Sequence, residues 1–203
     1  MEIPLFPVGE IVLLPGMALP LHVFEPRYRE LLGRIRHTRE PFGIPCVLPV
    51  NTPAGMGGAT RQPEARIARV ATLAHLVEVD YNPDGSANIL VVGGERFKIL
   101  DIDNEKYPYS CAEAQLDPLE PSNPQWTKAM ARDVLEKFLV RMQPKFGDIS
   151  SEIPEDMLLK ASFVAANLRL SGMDGQRVLE AKSLFERFEI LSEFVGVQKR
   201  MLN

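Results

Sequence analysis

Few of the side chains that could do chemistry in this sequence stand at spacings that would let them do it. The two cysteines, Cys46 and Cys111, belong to no Cys-x-x-Cys pair and have no Cys/His ligand spacing around them. They read as buried thiols in a reducing compartment, not as a disulfide or a zinc site. His22, His37 and His75 lie far apart; His22 and His75 fall within strand patterns, where a core or edge role suits them better than metal binding. Asp101 and Asp103 share one face of a strand by the period of two, an arrangement that suits metal or acid/base work. No third ligand or partner base accompanies them, so they read as edge charges that discourage strand pairing. The glycines between Asn51 and Thr60 lack the Gly-Lys-Ser/Thr ending of a phosphate loop, and no Gly-x-Gly-x-x-Gly opens a helix. No catalytic residue, metal or cofactor is expected.

Composition narrows the class further. At 203 residues, 45% apolar and 25% charged, the chain has room for one domain with an extension or for two small domains. A net charge of −4 supplies no global field for a polyanion. The charge is uneven: from Glu78 to Glu120 ten carboxylates face three cations, a net of −7 that leaves the rest of the chain at +3. A local basic set, Arg34, Arg36 and Arg39 with Arg61, Arg66 and Arg69, keeps nucleic-acid binding as the alternative reading. The longest uncharged stretch near the start, Ile11 to Phe24, is shorter than the ~20 residues of a spanning helix and is broken by prolines. With no basic region ahead of it, neither a signal peptide nor a membrane anchor is expected, and the location expected is cytoplasmic.

The elements that must position any site follow from periodicity and turn chemistry. Prolines at 4, 7, 15 and 20 confine the opening apolar pieces to edge strands, strand starts or bends. After Phe24, Glu25 can cap, Pro26 suits a first helical position, and Tyr28, Leu31, Leu32 and Ile35 recur at helical spacing. Phe42 to Val50 reads as a strand, and residues 51–62 as a mobile loop. Ile67–Val79 and Asn88–Val92 form a hairpin about Asn82-Pro83-Asp84-Gly85. Gly93-Gly94 permits a bulge or sharp bend before a third strand with Phe97, Ile99 and Ile102, and Tyr109–Leu116 makes a fourth.

Asp117 to Pro124 is a proline-rich joint, beyond which the period changes to that of helices. The first, capped by Asn123 and ended by Pro144, carries Trp126, Met130, Val134, Leu135, Phe138, Leu139 and Met142. A second runs from Pro154-Glu155-Asp156 to Ser171-Gly172, and a third begins after Asp174 and carries Ala181, Leu184, Phe185, Phe188, Leu191 and Val195.

The opening stretch, with its Phe6-Pro7, Pro15-Gly16, Leu19-Pro20-Leu21-His22 and Phe24-Glu25-Pro26-Arg27-Tyr28 steps in order, resembles the start of the Lon protease N-terminal domain. The resemblance continues through Ala71-Thr72-Leu73-Ala74, the Asp84-Gly85 turn, Gly93-Gly94-Glu95-Arg96-Phe97-Lys98-Ile99 and the Gln176-to-Glu180 helix. One departure is Ala71, where the family usually has glycine; if that glycine serves a positive φ, the local turn must differ here.

The resemblance implies a stand-alone Lon-N-like protein of α+β class. It would have a PUA-like antiparallel pseudo-β-barrel with one short helix over residues 1–117, a joint at 118–124 and a helical bundle over 125–203. It further implies a noncatalytic protein- or peptide-binding module, resembling the substrate-recognition domain of Lon and acting as an adaptor in protein quality control. Its partners would be unfolded or extended protein segments and a protease or chaperone, with oligomeric state left open. The bent β part should frame a concave apolar face between its strand ends and the 51–62 loop. Phe6, Phe24, Met56 and Arg96 are the candidate peptide-binding residues, while Glu25, Arg27 and Arg96 should serve folding first, by capping and pairing near the start of the helix. Having neither phosphate cradle nor activated nucleophile, the purified chain should show no turnover of ATP or casein above buffer in a coupled ATPase and a fluorescent-casein assay.

Overall fold

The structure of the protein, a computed structural model, describes residues 1–48 and 66–196. The expected loop at 51–62, with Met56 and Arg61, lies outside them. Its β elements are β1 (Glu2–Pro4), β2 (Ala18–Val23), β3 (Phe42–Ile44), β4 (Val47–Leu48), β5 (Arg66–Ile67), β6 (Val70–Tyr81), β7 (Ala87–Asp103) and β8 (Cys111–Leu116). The helices are α1 (Pro26–Thr38), α2 (Pro124–Phe146), α3 (Met157–Leu168), α4 (Gly172–Glu180) and α5 (Leu184–Val195). The protein is therefore α+β, with an antiparallel sheet. Among the described residues no helix is long and apolar enough to cross a membrane.

β7 is the axis of the sheet, whose order is β1-β8-β7-β6-β3. Of the bulge or sharp bend expected at Gly93-Gly94 the structure has the bulge, and the two strands expected on either side of it are one, running through both glycines. A register shift marks the spot, because Thr72 faces Arg96 while Ala74 faces Gly93, so β7 carries one extra residue there. One edge of β7 is held by β6. The other is shared end to end: β2 pairs with Ala87–Val92 and β8 with Phe97–Asp103. The sheet forks between them. At its outer ends β1 and β3 approach at a single parallel bridge, Leu5 to Gly43, and the ladder does not close into a barrel.

Gly93 sits in that fork for a steric reason. Its backbone accepts from Gly16 N–H at 2.7 Å and donates to the Met17 carbonyl at 2.9 Å. A Cβ there would lie 2.3 Å from the Leu14 carbonyl oxygen, so the loop before β2 can dock only on a glycine. Ala71, where a turn was expected to differ, is ordinary strand opposite Phe97, without a positive φ.

α1 buries Tyr28, Leu31, Leu32 and Ile35, the face its periodicity predicts. Glu25 holds the N-cap position without capping through its side chain; its carboxylate pairs with Arg27 at 2.7 Å instead. This face packs on Phe6, Phe42, Ile89 and Val91, while Leu5, Leu73, Phe97 and Ile99 fill a second cluster within the bent sheet.

The helical half differs from expectation in three places. Pro144 does not end α2, which runs one short step further and stops at Gly147 with φ +72°. Trp126, assigned to the apolar stripe, stands exposed while Thr127 is buried. The third helix is two: α4 ends at Ala181 and α5 restarts at Ser183, whose Oγ accepts from Glu186 N–H while the Glu186 carboxylate accepts from Lys182 N–H. Ser-x-x-Glu is a capping-box signature and would have shown the break. Leu14, Val12, Met17 and Val70 enter the cluster formed by Val134, Phe138, Val164, Leu179 and Phe188, so the elements on both sides of the joint share apolar contacts.

Two glycine substitutions test this packing in opposite directions. Gly93→Ala should destabilise by about 2 kcal/mol through the clash with the Leu14 carbonyl. Gly33→Ala, on the exposed side of α1 with nothing within 4 Å of the new Cβ, should stabilise by ~0.5–1 kcal/mol. Urea unfolding followed by circular dichroism reads both.

Candidate functional site

A helix leaves its last carbonyls without internal partners, and their partial negative charge attracts cations. The last carbonyls of α4 are buried where the helical half meets the sheet, and two arginines take them. Arg96, from the bulged segment of β7, donates from Nη1 to Leu179 O at 2.8 Å and Ala181 O at 2.6 Å. Its Nε donates to Asp117 O at 2.7 Å and faces the Asp117 carboxylate at 3.0 Å. Arg187, from the first turn of α5, donates from Nε to Val178 O at 3.0 Å and from Nη2 to Leu179 O at 3.2 Å. The side chains are almost wholly buried, at 7% and 1% exposure. Burial first, and the neighbouring Arg96 charge second, push the Arg187 guanidinium down to about 10.

Over these arginines, in the fork between β2 and β8, lies a cleft of about 580 Å³. Pro15 and Gly16 border it from the turn before β2, Gly93 to Arg96 from β7, Leu116 to Leu119 from the end of β8 and the joint, and Leu158, Leu159 and Arg187 from the helices. Its walls are mainly apolar. Gly16 adopts φ +77°, and a Cβ on it would meet Leu159 Cδ2 at 2.3 Å, so that turn closes directly against α3. A concave apolar wall with a few fixed polar groups binds; it offers no nucleophile beside a base.

The other chemical candidates point the same way. Burial raises both thiols, Cys46 to about 11, away from the thiolate a nucleophile needs. Asp103 accepts the backbone N–H of Glu105 and Lys106 and so organises a turn. Among the described residues no three His, Cys, Asp or Glu side chains gather to hold a metal ion.

Of the candidate peptide-binding residues that the structure describes, Phe6, Phe24 and Arg96, only Arg96 lines the cleft, and Met56 lies outside the described residues. Phe6 is buried, its ring 4.3 Å from Tyr28 and 6.2 Å from Phe42, and so serves the core. Phe24 is 63% exposed and stacks on His22, away from the residues lining the cleft. Arg96 serves folding through contacts with α4, not near the start of α1. Of the basic set, Arg34 reaches Tyr109 and Glu40, Arg36 lies over Tyr81 and borders one hollow together with Arg39, which closes α1, and Arg69 reaches Leu100 O; Arg61 lies outside the described residues. Sequence reasoning missed Arg187, Leu119, Leu158 and Leu159. Arg187 could have been found, since it occupies the apolar stripe of α5 three residues after Leu184 and four before Leu191.

Arg96→Ala would leave buried carbonyls and Asp117 without their donor, and should cost about 3 kcal/mol in urea unfolding. Arg96→Lys should recover less than half of that, because a single ammonium cannot span acceptors on two sides.

The sequence matches the profile described as "ATP-dependent protease La (LON) substrate-binding domain" over residues 2–196. It is 28% identical to the Lon protease of Roseiflexus castenholzii and 27% identical to that of Rhizobium meliloti, over 98% and 92% of this chain. The chain spans only 24% and 23% of the length of those relatives. Among solved structures, the N-terminal domain of the Mycobacterium avium complex Lon protease superposes with a TM-score of 0.74 at 16% identity, covering 98% of this chain and 100% of that one. A Lon N-terminal domain protein from Xanthomonas campestris gives 0.64 at 24% identity, covering 95% and 98%. These two likenesses concern the fold, and with the profile matched along nearly its whole length this chain belongs to the ATP-dependent protease La (LON) substrate-binding domain family.

Proposed function

We propose that this chain is a noncatalytic module that holds extended or unfolded protein segments, and that the cleft between sheet and helices is where it holds them. The observation that carries this reading is the concave apolar wall of Pro15, Leu116, Leu119, Leu158 and Leu159, set in a fork of the sheet and belonging to a family described by substrate binding. An extended segment presents alternate side chains to such a wall. Phe24 is a second apolar contact outside the cleft. In this reading the module works in the cytoplasm as an adaptor in protein quality control, presenting segments to a protease or chaperone. The bent sheet over 1–117 acts as a PUA-like pseudo-barrel, supported by the approach of β1 and β3 at Leu5 and Gly43, and the helices over 125–203 act as its backing.

A cellulose array of unfolded-protein segments tests the reading. Wild-type protein should favour peptides rich in Leu, Phe and Val, and Leu159→Glu should weaken them about tenfold, with Phe24→Ala losing less. Salt-sensitive binding to single-stranded RNA with no binding to apolar peptides would reverse the choice in favour of a nucleic-acid module.

A further inference from the structure

The inner wall of the cleft carries a charge without a counter-charge. Arg187 borders the cleft and is 1% exposed; Nε and Nη2 have carbonyl acceptors, and among the described residues Nη1 has none. The titratable groups bordering the space are Glu95, Arg96, Asp117 and Arg187. Glu95 is 68% exposed, and its carboxylate lies 3.9 Å from His75 Nε2, which is outside the cleft. Asp117 is committed to Arg96. Two guanidiniums thus share one carboxylate, and that carboxylate reaches only the first of them.

A buried charge with an unmet donor is costly, and the carbonyl end of α4 offsets only part of it. The lowered proton affinity of Arg187 has the same origin. An anion seated inside the cleft would supply both the missing acceptor and the missing charge. The guanidinium fork matches a carboxylate in shape, and the bond would be charge-assisted in a water-poor space. The remaining walls, Pro15, Leu116, Leu119, Leu158 and Leu159, do not suit a heavily hydrated ion; they require an apolar body attached to the charge. A volume of about 580 Å³ holds one or two apolar side chains with their end group.

We infer that the cleft is a carboxylate site in which Arg187, beside Arg96, receives the acid group of an apolar ligand: the free end of a polypeptide finishing in apolar residues, or a small alkyl carboxylate. The polypeptide source rests on the function proposed above; the alkyl source does not. Leu159, packed against Gly16, forms the rim over which the apolar body lies.

Fluorescence anisotropy of the whole chain tests this with an N-terminally labelled hexapeptide ending in Phe-Leu, as the free acid and as the C-terminal amide, and with unlabelled octanoate and inorganic phosphate as competitors. The free acid should bind at least tenfold more tightly than the amide. Arg187→Met should bring the acid-to-amide affinity ratio down to about one, and Arg187→Lys should restore part of the difference. Leu159→Glu, which keeps both arginines and puts a carboxylate at the rim, should weaken the free acid more than the amide; it decides the matter if Arg187→Met does not fold by circular dichroism. Octanoate should compete and phosphate should not. Equal binding of acid and amide by wild type, or a difference that survives Arg187→Met, overturns the carboxylate site while leaving peptide binding in place. Arg187-dependent octanoate binding with no peptide binding supports the site and overturns the protein-binding reading. Displacement by phosphate as effective as by octanoate overturns the selectivity for an apolar acid.

Discussion

The capping of α4 by two arginines from distant parts of the chain is the interaction on which the rest of the structure depends. Unmet carbonyls at a buried helix end would oppose docking of the helices on the sheet, and water is excluded from the place where they meet. Arg96 and Arg187 meet them from opposite sides, one from the sheet and one from the following helix. Around this polar centre the joint is sealed by Gln176 bonding to the Val70 carbonyl and by Glu120 N–H bonding to the Lys182 carbonyl. The apolar contacts of Leu14 and Met17 with the helices act in parallel, but they carry no direction. The arginines add directed hydrogen bonds, those of Arg96 between the halves.

The cleft lies between this joint and the fork in the sheet. β7 is long enough to serve two different partners along one edge, and the extra residue near Gly94 lets β2 and β8 diverge. Close backbone approach at Gly93 brings the loop before β2 down onto the strand, and Gly16 brings its turn against Leu159. The space left between is apolar because it is bounded by a turn, a proline-rich joint and one face of α3. It is charged at its base because the same two arginines that fix the joint also border it. In the proposed reading stability and recognition draw on one set of side chains, and substitutions there must be read for both.

Membership of a substrate-binding family agrees with the reading proposed for the cleft. The buried thiols are poised against ionisation, and of the carboxylates of the acidic segment Asp103 organises a turn and Asp117 is held by Arg96. The relatives are about four times as long as this chain, so what their remaining parts do is a separate matter from what this fold presents. What this fold presents is a concave apolar surface with a fixed cationic end, a combination that discriminates by the end group of its ligand as well as by its hydrophobicity.

Sequence by itself determined the local structure and the family. The face of α1, the hairpin turn at Asn82 to Gly85, the caps at Asn123 and Asp156, and the ordered proline-punctuated opening are short-range features, set by periodicity, turn chemistry and backbone constraint within a few residues. The α+β class followed from them. Tertiary structure decided the continuity of β7, because whether two glycines bend a strand or let it pass depends on the loop that docks there. It also decided the place of Phe6 and Phe24: both sit in the same apolar opening, and only the packing of α1 buries one and leaves the other outside. The cleft was the least legible part. Arg96 and its acceptors on α4 lie 83 and 85 residues apart, and no local pattern records a partner at that distance. The one local trace was Arg187, a charge in an apolar stripe, whose meaning waits on the carbonyls that three-dimensional packing brings to it.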